Sequence, residues 1–314
     1  MWILRAMIYG FVVLSEPSWA GGLDDAQKCI QESQRGNFDL AIQHCTRAIE
    51  SGQLSDADRA ITFNNRGNTY FGKRDYTRAI QDYDQAIRVK PDYPEAFNNR
   101  GYVYYHKKDY DRAIQSYDQA IRLNSKYAKA FNNRGGAYDE KRQYDQALAD
   151  YEAAARIDPK VARYRSIGLS SFYLGRMEKS AEAMAKAVAA APQDMYAVVW
   201  RYLAQAKSSG PQTAARELAN AAVKLKEHKW PMAVIDFYLG KSDEKALYET
   251  ANSPDAKKNQ EQLCEANFYA AEAKLLSGDS KGAIPLLRAA NKNCPPTSVE
   301  AHGAGAELKR LRQK

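Results

Sequence analysis

Three asparagines recur at a spacing of 34 residues, Asn65, Asn99 and Asn133, each the second of a tandem pair in a Phe-Asn-Asn-Arg-Gly block. An amide side chain carries donor and acceptor at once, so a row of amides can pair with the backbone of an extended peptide without reading its side chains. With Gly67 at zero on a helical wheel, Asn65 points about 160° away, opposite the side on which Phe63 and Tyr70 pack. The spacing therefore predicts that Asn65, Asn99 and Asn133 line an inner concave wall, bordered by Asn68, Tyr102 and His106. The competing reading is that repeat duplication carried these amides along as solubilising residues.

Arg66, Arg100 and Arg134 follow the asparagines, and acids stand at matching places in the next segment: Asp82, Asp84, Asp118, Asp150 and Glu152. Arginines at the edge of a helix interface are normally paired, so internal salt bridges are expected ahead of ligand binding. The four cysteines are placed symmetrically: Cys29 and Cys45 flank Gly36-Asn37, and Cys264 and Cys294 flank Gly278-Asp279, each pair almost equidistant from its turn. Across an antiparallel helix pair such residues face each other, which predicts Cys29–Cys45 and Cys264–Cys294 disulfides ahead of four packed thiols. Neither pair has the C-x-x-C form of a catalytic redox site. His44, His106, His228 and His302 have no partners at metal-ligand spacing, and the zinc-protease, nucleophile-elbow, Walker and dinucleotide patterns do not occur. The expectation is a non-enzymatic protein with no catalytic residues, no metal and no cofactor.

The elements that must position these residues are legible from the period itself. Tyr70, Tyr104 and Tyr138 repeat with the asparagines, as do Ala79, Ala113 and Ala147, then Tyr83, Tyr117 and Tyr151, then Ala86, Ala120 and Ala154. This pattern resembles the tetratricopeptide repeat, whose 34-residue unit is a pair of antiparallel helices with small residues at the crossing. Pro91 and Pro159 fill the closing proline position and Ser125 departs from it. The resemblance implies an all-α, right-handed superhelical solenoid of about seven helical hairpins. Degenerate copies extend it upstream, over residues 22–50, and downstream through Gly168, Gly175, Ala187 and Pro192. The expected division is a repeat array over 21–193 and a degenerate region over 194–314, where hairpins at 196–226 and 261–292 precede a charged capping helix at 298–312.

In the last 85 or so residues, Trp230-Pro231-Met232-Ala233-Val234-Ile235-Asp236-Phe237-Tyr238-Leu239-Gly240 and Cys264-Glu265-Ala266-Asn267-Phe268-Tyr269 resemble the NlpI-like family of envelope tetratricopeptide lipoproteins. The resemblance implies a periplasmic adaptor that scaffolds cell-wall enzymes and presents them to a processing protease, often as a homodimer. This chain lacks the lipidated N-terminal cysteine of those lipoproteins, which puts membrane tethering outside the expectation.

Composition agrees with a folded, interaction-type protein. Of 314 residues, 45% are apolar and 27% charged, enough to bury one full core or two smaller ones. The net charge of +8 is spread in alternating signs instead of clustered on one element, a poor match to nucleic-acid binding. No apolar run reaches the roughly 18 residues a membrane span needs. The apolar block from Met7 to Leu14, followed by Ser18-Trp19-Ala20, reads as a secretory signal peptide over 1–20, cut after Ala20. The combined expectation is an exported, periplasmic scaffold holding protein or peptide clients in its groove; the alternative class is a peptidoglycan- or glycan-binding protein, motivated by the positive charge and the many tyrosines.

Overall fold

The computed structural model describes residues 21–159, 161–226 and 229–313; the expected signal peptide and His228 lie outside them. Among the described residues there are 17 helices and no strand, in two compact units that meet in the sequence at Lys141 and Arg142.

The first unit holds α1 (Gly22–Arg35), α2 (Phe38–Glu50), α3 (Asp56–Gly72), α4 (Tyr76–Val89), α5 (Pro94–His106), α6 (Tyr110–Leu123) and α7 (Ala128–Glu140). Local chemistry sets their ends. The side chains of Ser55, Asp75 and Asp109 accept the backbone N–H three residues on, satisfying a donor that the first turn would leave orphaned. Gly36 closes α1 in the left-handed region, φ 85°, and the same place in the next two hairpins is taken by Arg74 and Lys108 at φ 62° and 60°.

Packing follows the repeat. Ala79, Ala86, Ala113 and Ala120 are fully buried, and Tyr83 and Tyr117 fill the space beside them. A Cβ on Gly67 would stand 2.7 Å from the Tyr83 ring, and one on Gly101 2.8 Å from Tyr117, so only glycine lets the two helices of a pair come this close. Consecutive helices pack in order, and α1, α3, α5 and α7 also touch in sequence. The first helices thus form one continuous layer.

The second unit holds α8 (Tyr144–Ile157), α9 (Val161–Tyr173), α10 (Met177–Ala190), α11 (Met195–Ser209), α12 (Pro211–Ala222), the short α13 (Met232–Tyr238) and α14 (Glu244–Ala251), then α15 (Ala256–Leu276), α16 (Ser280–Asn293) and α17 (Val299–Arg312). Helices α10 and α11, on either side of the expected 193/194 division, pack directly on each other.

Helix α17 does more than cover an end. It packs on α9, α15 and α16, and Glu300, Ala301, His302, Gly303, Ala304, Ala306 and Glu307 along it are buried. A Cβ on Gly303 would lie 2.8 Å from the Phe268 ring and 3.0 Å from Trp200, so the helix lies flush on the aromatic core. Arg310 donates to the carbonyls of Phe172 and Tyr173 at 3.1 and 3.2 Å, capping α9 from the far end of the chain.

Candidate functional site

The layer made by α3, α5 and α7 is where the repeated amides sit, and most of them face neighbouring helices. Asn65 is 1% exposed, Asn68 4% and Asn99 8%; Asn133 is half-buried. Asn99 Nδ2 donates to Asn64 Oδ1 at 3.0 Å and to Asn68 Oδ1 at 3.2 Å, Asn98 Nδ2 donates to Asn99 Oδ1, and Asn133 Nδ2 donates to Asn98 Oδ1 at 3.0 Å. Tyr83 closes the network by donating its hydroxyl to Asn68 Oδ1 at 2.7 Å.

In the second and third tandem pairs the second asparagine therefore reaches back to the first asparagine of the preceding repeat. A helical wheel gives direction relative to the partner within a hairpin; it carries nothing about the helix stacked 34 residues earlier, and that neighbour covers the amides. The wall is an internal staple along much of its length. Of the six expected contact residues, Tyr102, His106 and Asn133 keep surface. Sequence reasoning singled out Asn65, Asn99 and Asn133 and passed over Asn64 and Asn98, although the tandem spelling is the signal that could have found them.

Replacing Asn99 and Asn133 together by alanine is expected to destabilise the first unit measurably, because each lost buried amide partner of Asn64, Asn68 and Asn98 costs about 1–3 kcal/mol. Thermal denaturation would check this; an unchanged midpoint would mean that the network contributes nothing.

The arginines are paired internally. Arg66 holds Asp82 through Nε and Nη2 at 2.8 and 2.7 Å and reaches Thr46 Oγ1 at 2.9 Å. Arg100 Nη1 donates to Asp84 at 2.7 Å and its Nε to Ser116 at 3.3 Å; Arg134 donates to Asp118 at 2.6 Å. Arg66 and Arg100 thus each bridge the second helix of their own repeat and that of the repeat before, with the guanidinium over Phe63 or Phe97 at 5.5 or 5.3 Å. Burial lifts the Asp82 carboxyl above its ordinary range in spite of Arg66.

Cys29 and Cys45 are bonded, joining α1 to α2 with Cα atoms 5.1 Å apart. Cys264 and Cys294 are bonded across α15 and the end of α16, also at 5.1 Å. Near the first bond, His44 Nδ1 meets Asp25 Oδ1 at 2.5 Å, and Arg47 grips the same carboxylate. His302 donates Nε2–H to the Pro296 carbonyl at 3.1 Å, and burial pulls its pKa down to about 4, so it is a neutral core ring. Among the described residues no group of three or more His, Cys, Asp or Glu could hold a metal ion.

The second unit contains acids that the sequence did not reveal. Glu300 is 3% exposed and accepts the Tyr269 hydroxyl at 3.0 Å. Glu265 accepts from Trp230 Nε1 at 2.8 Å and from the Tyr196 hydroxyl at 3.1 Å. Burial, with the Glu265 carboxylate adding to it, pushes Glu300 up to about 8. Enclosed this far, it is placed to hold the core together and not to meet a substrate.

A glutamate titrating near 4.3 in the unfolded chain and near 8 in the fold is protonated in the native state, so its contribution is fully present below about pH 4.3 and is lost as pH rises through 8. The second unit is expected to melt progressively lower between about pH 5 and 8, and Glu300→Gln to reduce that slope, leaving the part due to Glu272. A slope identical in the variant would place the titration elsewhere.

Comparison with known proteins adds family information. Models of the tetratricopeptide repeat match residues 64–128 and 128–161. The lipoprotein NlpI homolog of Haemophilus influenzae is 31% identical over 147 residues, 46% of this chain and 46% of that protein, so the match spans about half the length of the relative. Among solved structures, PilF of Pseudomonas aeruginosa is similar at TM-score 0.55 and 17% identity, over 64% of this chain and 90% of that one. A tetratricopeptide repeat protein from Parabacteroides merdae is similar at TM-score 0.54 and 12% identity, over 92% and 100%. At these identities the two structures speak for the solenoid fold alone.

Proposed function

From a chain of tetratricopeptide repeats similar over about half its length to a lipoprotein NlpI homolog, we propose a non-enzymatic protein-binding scaffold of the cell envelope, exported to the periplasm by residues 1–20. The observation that carries this reading is the continuous layer of α1, α3, α5 and α7, stapled from repeat to repeat by Asn99 and Asn133. A surface pre-organised in this way loses little entropy when an extended segment or helix of a client is laid along it. Client contact falls on the residues of that layer that keep surface, chiefly Tyr102 and Asn133, while Asn68 and Asn99 hold the wall's shape. Cell-wall enzymes and a processing protease are the clients that the family resemblance suggests, with homodimerisation as a further feature of the same resemblance.

No described helix is long and apolar enough to cross a membrane. The proposal is tested with a photo-crosslinking amino acid at Tyr102 and, separately, at the exposed Gln81 of α4, in cells that make the protein. Discrete envelope-protein adducts from position 102 and none from 81 are expected. Equal adducts from both positions, or adducts only with cytoplasmic proteins, would overturn it.

A further inference from the structure

The hairpin-turn edge of the first unit carries a surface of its own. Phe71 near the end of α3, Tyr76 at the start of α4 and His106 at the end of α5 bring three rings together: centroids are 5.6 Å apart for Phe71 and Tyr76, 5.2 Å for Phe71 and His106, and 6.4 Å for Tyr76 and His106. Tyr102 backs them, 5.4 Å from Phe71 and 4.6 Å from His106. Phe71 and Tyr76 are half-buried and His106 is exposed, so the rings make a shallow platform. Partial desolvation against these rings lowers the His106 pKa from its ordinary value.

Arg74 lies between Phe71 and Tyr76 in the sequence and Lys107 and Lys108 directly follow His106; all three are exposed and without an ion pair among the described residues. The acids of this edge are already committed: Asp39 to Lys73, Asp75 to Arg78, Asp109 to Arg112, Asp111 to Lys141, and Glu140 to the hydroxyls of Tyr105 and Tyr110. None of these three cations forms a close ion pair, although Lys107 lies near enough to Asp109 to help lower that carboxyl's pKa. Arg74 and Lys108 also occupy left-handed backbone at φ 62° and 60°, where a side chain costs about 1–2 kcal/mol that glycine would avoid. The fold keeps charge at these two turns against local preference.

We propose that this edge binds an anionic polysaccharide, a chain of pyranose rings bearing carboxylates. The C–H faces of a sugar ring present a positive edge to the negative π face of an aromatic ring, and carboxylates at intervals along the chain pair with guanidinium and ammonium groups. The two turns lie one repeat apart, a helix-layer spacing of roughly 8–10 Å, so the cations form a row suited to a polymer and not to a single charge. An anionic bilayer would need apolar side chains that protrude and insert, whereas Phe71 and Tyr76 are half-buried. An acidic peptide offers the charge without the flat faces that the platform matches.

The test is affinity electrophoresis of the full-length protein through gels containing polygalacturonate, neutral dextran or poly-glutamate, with flotation on vesicles of phosphatidylglycerol and phosphatidylethanolamine alongside. Retardation by polygalacturonate at least tenfold stronger than by poly-glutamate, and none by dextran, is expected. Arg74→Gly with Lys107→Ser and Lys108→Gly should abolish it without lowering the melting temperature, because glycine relieves the left-handed turns. His106→Ala should weaken it severalfold. Equal retardation by poly-glutamate, binding indifferent to either variant, or flotation with vesicles that polygalacturonate does not reverse would overturn the proposal. None of these readouts depends on protein clients, so failure here and failure of the scaffold reading are distinguishable.

Discussion

Lys207→Met is expected to lower the stability of the second unit by about 3–5 kcal/mol, the usual cost of stripping one partner from a buried ion network. Lys207 Nζ lies 2.7 Å from Glu272 Oε2 and 2.6 Å from Glu307 Oε1, with Glu272 fully buried and Glu307 nearly so. Arg310 also holds Glu307 and caps α9, so one network joins α9, α11, α15 and α17. Methionine matches the length of the lysine stem and removes only the charge, which separates electrostatics from packing. Burial, partly offset by Lys207, pushes the Glu272 pKa up to about 7. The carboxyl is therefore protonated in mild acid, and the loss should shrink near pH 5, where less negative charge is left behind. Urea unfolding at pH 5 and pH 8 measures this, and Lys207→Met with Glu272→Gln should recover part of the loss. A cost that is equal at both pH values and is not rescued would show that the network is not electrostatic in origin.

Removal of the disulfides should have the next largest effect. Cys29–Cys45 closes a separation of 16 residues and Cys264–Cys294 one of 30, and loop entropy puts their contributions at about 3 and 3.5 kcal/mol. Cys264→Ser with Cys294→Ser is expected to lower the midpoint of the second unit, since both sulfurs lie in its core. Cys29→Ser with Cys45→Ser should act more locally, loosening α1 and α2, which among the described residues pack chiefly on each other and on α3. Hydrogen exchange confined to residues 22–50 would distinguish that local effect from global unfolding. Non-reducing peptide mapping should recover these two crosslinks; a crossed pairing of Cys29 with Cys294 would refute the helix alignment itself.

Much of the architecture was legible because the repeat spells the same interface three times. Gly67 and Gly101 mark helix crossings, Tyr83 and Tyr117 the residues that fill them, and both cysteine pairs lie across a turn where a mirror rule applies. The candidate site was legible only in part. Asn65 and Asn99 were found as a row, but their burial was not, since the helix that covers them belongs to the neighbouring repeat. Phe71 and Tyr76 went unnoticed beside Tyr102 and His106 because their rings come from different turns.

The sequence by itself determined the helical class, the 34-residue unit, the turns, and the cysteine pairing that the structure also contains. All of these depend on residues within one hairpin, where spacing along the chain maps directly onto geometry. Tertiary structure alone decided which polar residues are staples and which are surface, that α17 folds back on α9, and that Glu272, Glu300 and Glu307 enter a core. Burial of a charge depends on what several distant segments enclose between them, as Lys207, Glu272 and Glu307 show. Local periodicity has no term for a partner 65 or 100 residues away.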